Sequence, residues 1–149
     1  MLNKDAIGAE GPSFEMCVEE GKIAEFAEAI GAQSKDHFGR EATIPPTFLT
    51  TTFFWEARVP GANPWHLVEM SQERGMHAEQ SYRFFGPPPQ AGQRLTCTSR
   101  IETIYEKKGR SGGSLEFGIM VTEFRDEAGN LVAEARMTGV ETSKPPEEK

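Results

Sequence analysis

Apolar and polar positions alternate along this chain with two different periods. Ile23, Phe26, Ala27 and Ile30 recur at i, i+3, i+4 and i+7, one stripe of a helix over about residues 19–30. Glu19, Glu20, Lys22, Glu25 and Glu28 fill the opposite face, and Gly31 follows as a stop signal. Just before it, Phe14 to Val18 alternates and predicts a short strand. From Met76 onward the period becomes two. Met76, Ala78, Tyr82 and Phe84 alternate with His77, Glu79, Ser81 and Arg83. Leu95, Cys97, Ile101 and Tyr105 share one parity, and Leu115, Phe117, Ile119 and Val121 alternate with Glu116, Gly118, Met120 and Thr122. Leu131, Ala133, Ala135 and Met137 alternate with Val132, Glu134, Arg136 and Thr138. Turn-rich stretches at 86–92, 107–113 and 126–130 separate these runs, and the three long strands among them predict an antiparallel meander with one buried face.

The run Phe48 to Trp55 fits neither period. Its Thr and Phe residues favour a strand. Pro46 suits the first turn of a helix, and apolar residues all round the wheel suit a buried one, so periodicity leaves both readings open. The ends carry no pattern: Met1 to Pro12 contains Gly without periodicity, and Lys144 to Lys149 is polar and Pro-containing. Both are expected outside the core. The expected organisation is a flexible N-terminus at 1–12, one domain at 13–143 and a polar tail at 144–149.

Composition narrows the function classes. With 149 residues, one domain is the prior. The net charge of -7, from 16 basic and 23 acidic residues, argues against nucleic acid as partner, since phosphate binding needs clustered Lys and Arg. No apolar run approaches the roughly 18 residues of a membrane span, so no membrane partner is expected. Met1 to Ser13 lacks the basic-then-apolar layout of a signal peptide, which makes the expected location cytoplasmic. Cys17 and Cys97 lie far apart with no ligand spacing, so no metal site is expected.

Five stretches carry a resemblance. They are Val18-Glu19-Glu20-Gly21-Lys22-Ile23 through Phe26-Ala27-Glu28-Ala29-Ile30-Gly31; Pro45-Pro46-Thr47-Phe48; His77-Ala78-Glu79-Gln80; Gln90-Ala91-Gly92; and Gly109-Arg110-Ser111-Gly112-Gly113 through Phe117. In this order the chain resembles the MaoC-like acyl dehydratases over about Phe14 to Val140. Within them it is most similar to the FAS1-like, N-terminal-half subgroup, close to subunits of heteromeric (R)-3-hydroxyacyl-thioester dehydratases. The resemblance implies an α+β class with a single hot-dog fold, a curved antiparallel sheet wrapped round a central helix. That makes 47–55 helical. It also implies acyl thioesters of CoA or acyl carrier protein as ligands, water added or removed across the 2,3-bond, and no cofactor.

In catalytic relatives an Asp and a His five residues apart follow the Gly that ends the first helix and hold one water between them. The water must gain or lose a proton while the α-carbon does the opposite. Counted from Gly31, the Asp position is Ala32, the intervening Asn position is Ser34, and the His position is His37. Asp36 is adjacent but out of register. Relatives also form a thioester-carbonyl hole from backbone N–H groups at the start of the central helix, a suitable place for developing negative charge. Here Pro45 and Pro46 lack an N–H, leaving Thr47 or Phe48 as donors. Trp65, in Pro64-Trp65-His66, is expected either to cover an acyl chain or to pack at an edge. Lys107, Lys108 and Arg110 are expected either to meet ligand phosphates or to stay solvated. His66 and His77 read as structural. The expected site is therefore His37 as catalytic residue, with Thr47, Phe48, Trp65 and Arg110 binding substrate.

Because the Asp is missing, the leading expectation is a hydratase/dehydratase subunit in a heterodimer with a catalytic MaoC-like chain that carries the Asp–His pair. The alternatives are a non-catalytic acyl-thioester binding or scaffold protein in a homodimer, and a self-sufficient enzyme using His37 with another partner group.

Overall fold

The computed structural model describes residues 1–109 and 113–143. Strand β1 (Phe14–Cys17) leads into helix α1 (Glu20–Ala29), close to the bounds that its apolar stripe predicts. A 3₁₀ turn at Lys35–His37 follows, then a 3₁₀ segment at Phe48–Thr52 that runs into the short helix α2 (Phe53–Glu56). Another 3₁₀ turn, Pro64–Val68, precedes strands β2 (Gly75–Phe84), β3 (Arg94–Lys108), β4 (Ser114–Arg125) and β5 (Leu131–Thr142). All strand pairs are antiparallel, in the spatial order β1-β3-β4-β5-β2. The predicted meander is β3-β4-β5, with β1 and β2 added at its two edges.

One face of the sheet carries the core in two parts. Met16, Ile23, Phe48, Leu49, Leu95, Cys97 and Phe124 pack together, and the Phe26 ring meets Phe48 edge-on at 5.5 Å. Beside them Leu2, Ala6, Val68, Ile101, Ile104 and Met120 form a second cluster. The N-terminal segment, expected outside the core, lies in it: Leu2 and Ala6 are only 4% and 3% exposed. Its backbone explains why. Asn3 N–H donates to Val68 O, Gly8 N–H to Ile101 O and Gly11 N–H to Ser99 O, while Ile101 N–H donates to Ala9 O. A segment without periodicity is thus held by hydrogen bonds to β3 and to Val68, and buries the side chains of Leu2 and Ala6.

Two bulges change which residues face the core. The β3–β4 register shifts between Ile101 and Thr103, so Ile104 turns inward and Tyr105 outward, contrary to the shared parity expected of Ile101 and Tyr105. Tyr105 stacks instead on Phe117 at 5.0 Å. In β4 the inner residues are Gly118, Met120, Thr122 and Phe124, and the apolar row Leu115, Phe117, Ile119 and Val121 faces the other side. Both parities of β4 are apolar, so alternation alone could not choose. Val121 is nonetheless fully buried, flanked by Arg100 and Arg136, which both pair with Glu102; their stems cover it. The second, between His77 and Glu79 in β2, turns His77 to the inner side opposite Gly139.

The segment expected as a buried central helix is helical but short, and it is buried on one side only. Phe48, Leu49, Thr51, Thr52 and Trp55 are buried. Phe53 is 54% exposed, so it lies outside the core of the single chain, and Phe54 is exposed beside it. The two rings stack at 4.3 Å, with Lys22 Nζ 3.8 Å from the Phe54 ring. The sheet covers one flank of this segment. The other flank faces out, and its Phe53 lines a cavity with Gln80 and Tyr82 of the edge strand β2.

Candidate functional site

The loop holding His37 is built from local hydrogen bonds. Gly31 closes α1 in the left-handed region at φ +68, where Ala32 N–H donates back to Ala27 O and Gly31 N–H to Glu28 O. This double closure is the Schellman arrangement, which a glycine permits. Ser34 then caps the 3₁₀ turn by accepting from Asp36 N–H at 3.2 Å. Thr43 N–H donates to Asp36 O at 2.7 Å, and His37 Nδ1 lies 2.7 Å from Thr43 O. A carbonyl can only accept, so Nδ1 carries the proton and Nε2 is left as the basic nitrogen. No described residue hydrogen-bonds to Nε2. Ala32 contributes a methyl group to this loop, and Asp36 contributes its backbone carbonyl to the clamp. His37 thus has the backbone hydrogen bond of an ordinary loop histidine together with one free basic nitrogen.

At the start of the central segment, Phe48 N–H donates to Pro45 O at 3.0 Å, and the Phe48 side chain is fully buried. Its expected role at the substrate is therefore taken over by the core. Thr47 is exposed and lines a cavity of about 450 Å³ with Pro46, Thr50, Gln80, Tyr82 and Phe84. Burial pushes the Tyr82 phenol above its ordinary pKa, and a hydrogen bond with Thr50 partly offsets this.

A second cavity of about 230 Å³ lies between the central segment and the sheet, lined by Leu49, Thr52, Tyr82, Met120, Phe124 and Met137 among others. It holds a group that the sequence reading passed over. Glu56 accepts from Asn63 Nδ2 at 3.0 Å and from Ser99 Oγ at 3.3 Å. Ser99 is also 2.8 Å from Thr122 Oγ1, so the carboxylate orders a chain in which Thr122 donates to Ser99 and Ser99 to Glu56. A lone carboxylate directly after an apolar run was the available signal. Cys97 lies near; burial, with the Glu56 charge adding to it, pushes its thiol up to about 12.

Trp65 lines a cavity of about 620 Å³ together with Met70, Met76, Met137 and Gly139. His66 and His77 both reach this cavity, although nothing in their spacing predicts it. His66 Nδ1 lies 3.0 Å from Asn63 O. None of the three cavities includes His37. The expected site residues thus divide between the His37 loop, the Thr47 cavity and the Trp65 cavity, and Arg110 lies outside the described residues.

A model of the family described as "FAS1-like, dehydratase domain region" matches residues 5–135. The chain belongs to that family. A UPF0336 protein of Streptomyces coelicolor is 32% identical over 76% of this chain and 77% of its own length. A UPF0336 protein of Streptomyces griseus is 29% identical over 83% of this chain and 82% of its own. Among solved structures, the C-terminally truncated HadBC (3R-hydroxyacyl-ACP dehydratase) complex of Mycobacterium tuberculosis has a TM-score of 0.68 at 18% identity, covering 91% of this chain and 97% of that one. The ChsH1–ChsH2 complex of the same organism has a TM-score of 0.71 at 13% identity, covering 97% and 89%. The (R)-hydratase of A. caviae involved in PHA biosynthesis has a TM-score of 0.59 at 14% identity, covering 94% and 96%. At these identities the likeness establishes the fold. The chain is thus an α+β member of the FAS1-like dehydratase family with the hot-dog fold seen in MaoC-like dehydratases, and no described helix is long and apolar enough to cross a membrane.

Proposed function

We propose that this chain is one subunit of an acyl-thioester hydratase/dehydratase, acting on an enoyl or 3-hydroxyacyl group carried by CoA or acyl carrier protein. A second hot-dog chain supplies the Asp–His pair. The observation that carries this reading is that Ala32 puts a methyl group five residues before His37, at the position where the acid–base pair of catalytic relatives has its carboxylate. Water addition requires one group to take the proton of water and another to hold and orient that water. His37 Nε2 can do the first, and the position that supplies the second in catalytic relatives is the methyl group of Ala32.

The remaining chemistry suits a supporting subunit. Thr47 N–H has no partner among the described residues and can donate to a thioester carbonyl oxygen, which stabilises the enolate-like charge that develops there. The cavities along the central segment give apolar cover for the acyl chain. The unpaired edge of β2, with the exposed Phe53 and Phe54 rings, offers a second chain a strand edge and an apolar flank. The HadBC and ChsH1–ChsH2 structures are complexes of this fold, which supports a hot-dog partner here.

The test is to purify the chain alone and together with candidate partners encoded beside it, then measure hydration of crotonyl-CoA. Turnover is expected only in the complex, and little or none from the isolated chain. Robust turnover by the isolated wild type, lost in His37→Ala, would overturn the subunit reading in favour of a self-sufficient enzyme. Binding of acyl thioesters with no turnover in any complex would favour the binding-protein alternative. Partial activity of isolated Ala32→Asp would show that the loop keeps the geometry of an acid–base pair.

A further inference from the structure

Three cavities lie in series along the inner side of β2. The one at Thr47 shares Thr50, Gln80 and Tyr82 with the one beneath the central segment, and that one shares Met137 with the Trp65 cavity. The ten residues of β2 span about 33 Å at the usual rise per residue, so together the cavities form a long trough. Its far end, at about 620 Å³, is within the range of pockets that enclose drug-sized ligands. The exposed residues Glu69, His66 and His77 mark the mouth of that end, and the half-buried Trp65, Met70 and Met137 mark its depth. Methionine side chains adapt to irregular apolar shapes.

The position of the indole depends on two missing side chains. Gly118 and Gly139 are register partners on β4 and β5. A Cβ at Gly139 would stand 2.6 Å from Trp65 Cζ2 and 2.7 Å from Met70 Cε, and one at Gly118 would stand 3.1 Å from Trp65 Cη2. Neither glycine has a positive φ, so the backbone does not require glycine at either position. What requires it is the ring lying flat against the sheet. With the indole held back in this way, the end of the trough stays open.

We propose that this end receives the distal part of the acyl chain, and that Trp65, seated on the Gly118–Gly139 pair, is the specificity-determining residue that limits chain length. The inference rests on the acyl-thioester reading above and adds to it a preference for chains long enough to pass Met137. Trp65 can also report on itself. The chain has two tryptophans, and Trp55 is buried in the other core cluster. In a Trp55→Phe background, the emission of the full chain is titrated with butyryl-, octanoyl-, lauroyl- and palmitoyl-CoA, and affinities are measured by calorimetry.

The emission of Trp65 is expected to shift with the long acyl groups and not with butyryl-CoA. Affinity should rise by about four-fold for each methylene that enters the trough. Gly139→Ala, which pushes the indole into the cavity, should lower the ratio of palmitoyl-CoA to butyryl-CoA affinity by roughly ten-fold or more. Trp65→Phe, which shrinks the ring, should shift the preference toward longer chains. Folding is checked by circular dichroism, and if Gly139→Ala does not fold, Trp65→Phe carries the test. Binding whose chain-length profile is the same in wild type and variants, or long-chain binding with no change in Trp65 emission, overturns this inference and leaves the acyl-thioester reading standing. Wild type that binds none of the four thioesters overturns both.

Discussion

Acid should weaken this protein most strongly through one buried carboxylate. Glu106, Glu116 and Glu141 stand side by side across β3, β4 and β5. Such a row is repulsive unless it is compensated. Glu141, 3% exposed, accepts from Arg74 Nη2 at 2.7 Å, from the Met1 ammonium at 2.9 Å and from Ser71 N–H at 2.8 Å. Glu116 accepts from Leu2 N–H at 2.8 Å. Burial by itself pushes the Glu141 pKa up, but the hydrogen bonds from Ser71, the ammonium and Arg74 outweigh it and hold the carboxyl at about 2. The unfolded value lies near 4.3. A depressed carboxylate contributes stability that is fully present above the unfolded pKa and is lost as pH falls toward the folded one. The shift corresponds to about 3 kcal/mol at neutral pH, of which about 2 kcal/mol is gone by about pH 3. Glu141→Gln should therefore be destabilised by about 3 kcal/mol near neutrality, because Arg74 loses its charged partner. The gap from wild type should close as pH falls, because protonation takes the same charge from the native protein. Urea unfolding of both proteins at a series of pH values reads this directly. Parallel stability curves, with a constant gap from neutral to acid pH, would refute the reasoning.

Three other outcomes are expected. Leu2→Ala should cost about 2–3 kcal/mol in urea unfolding, as for a buried leucine, whereas a loose N-terminus would show no cost. Phe53→Lys should leave the stability of the isolated chain within about 1 kcal/mol of wild type, because the ring is half exposed, but should weaken association measured by light scattering. Cys97, whose thiol is pushed up to about 12 by burial, should resist thiol-reactive probes at neutral pH in the native state, while half-buried Cys17 reacts; mass spectrometry of the labelled peptides distinguishes them.

The parts legible in the sequence were those where one residue type settles one local choice. The stripe of Ile23, Phe26 and Ala27 and the stop at Gly31 define α1, because a helix with one covered face leaves that pattern and a left-handed closure favours glycine. The turns between β3, β4 and β5 were legible for the same reason. Face assignment was not. In β4 both parities are apolar, and the inner one is decided by Gly118, which looks like a gap in the pattern until Trp65 fills it from a distant turn. In β3 the β4 register skips Glu102, which reverses the alternation, and no local residue signals a bulge. The N-terminal segment was misread because it is held by backbone hydrogen bonds, which leave no periodicity in the side chains. The site divides in the same way. Ala32 and His37 could be located by counting from Gly31, but the three cavities exist only once β2 is set against the central segment and the turn that carries Trp65.

The exposed aromatic pair is the instructive miss. Phe53 and Phe54 sit in an apolar run, and such a run is ordinarily evidence for a core. In the single chain they face outward beside an unpaired strand edge and stack on each other, with the ammonium of Lys22 over Phe54. Hydrophobic pattern records which surfaces are kept from water in the working assembly, whether the cover comes from the same chain or another. A fold that leaves one flank of its central segment and one sheet edge open has apolar residues where a second chain would cover them. The proposed partner answers both absences, the missing cover over Phe53 and the missing carboxylate at Ala32. Phe53→Lys and Ala32→Asp therefore separate two roles. The first should impair activity of the mixed complex by weakening assembly, and the second should raise activity of the isolated chain. If Phe53→Lys instead lowered turnover in a complex that assembles normally, the ring would belong to the substrate channel and not to the subunit interface.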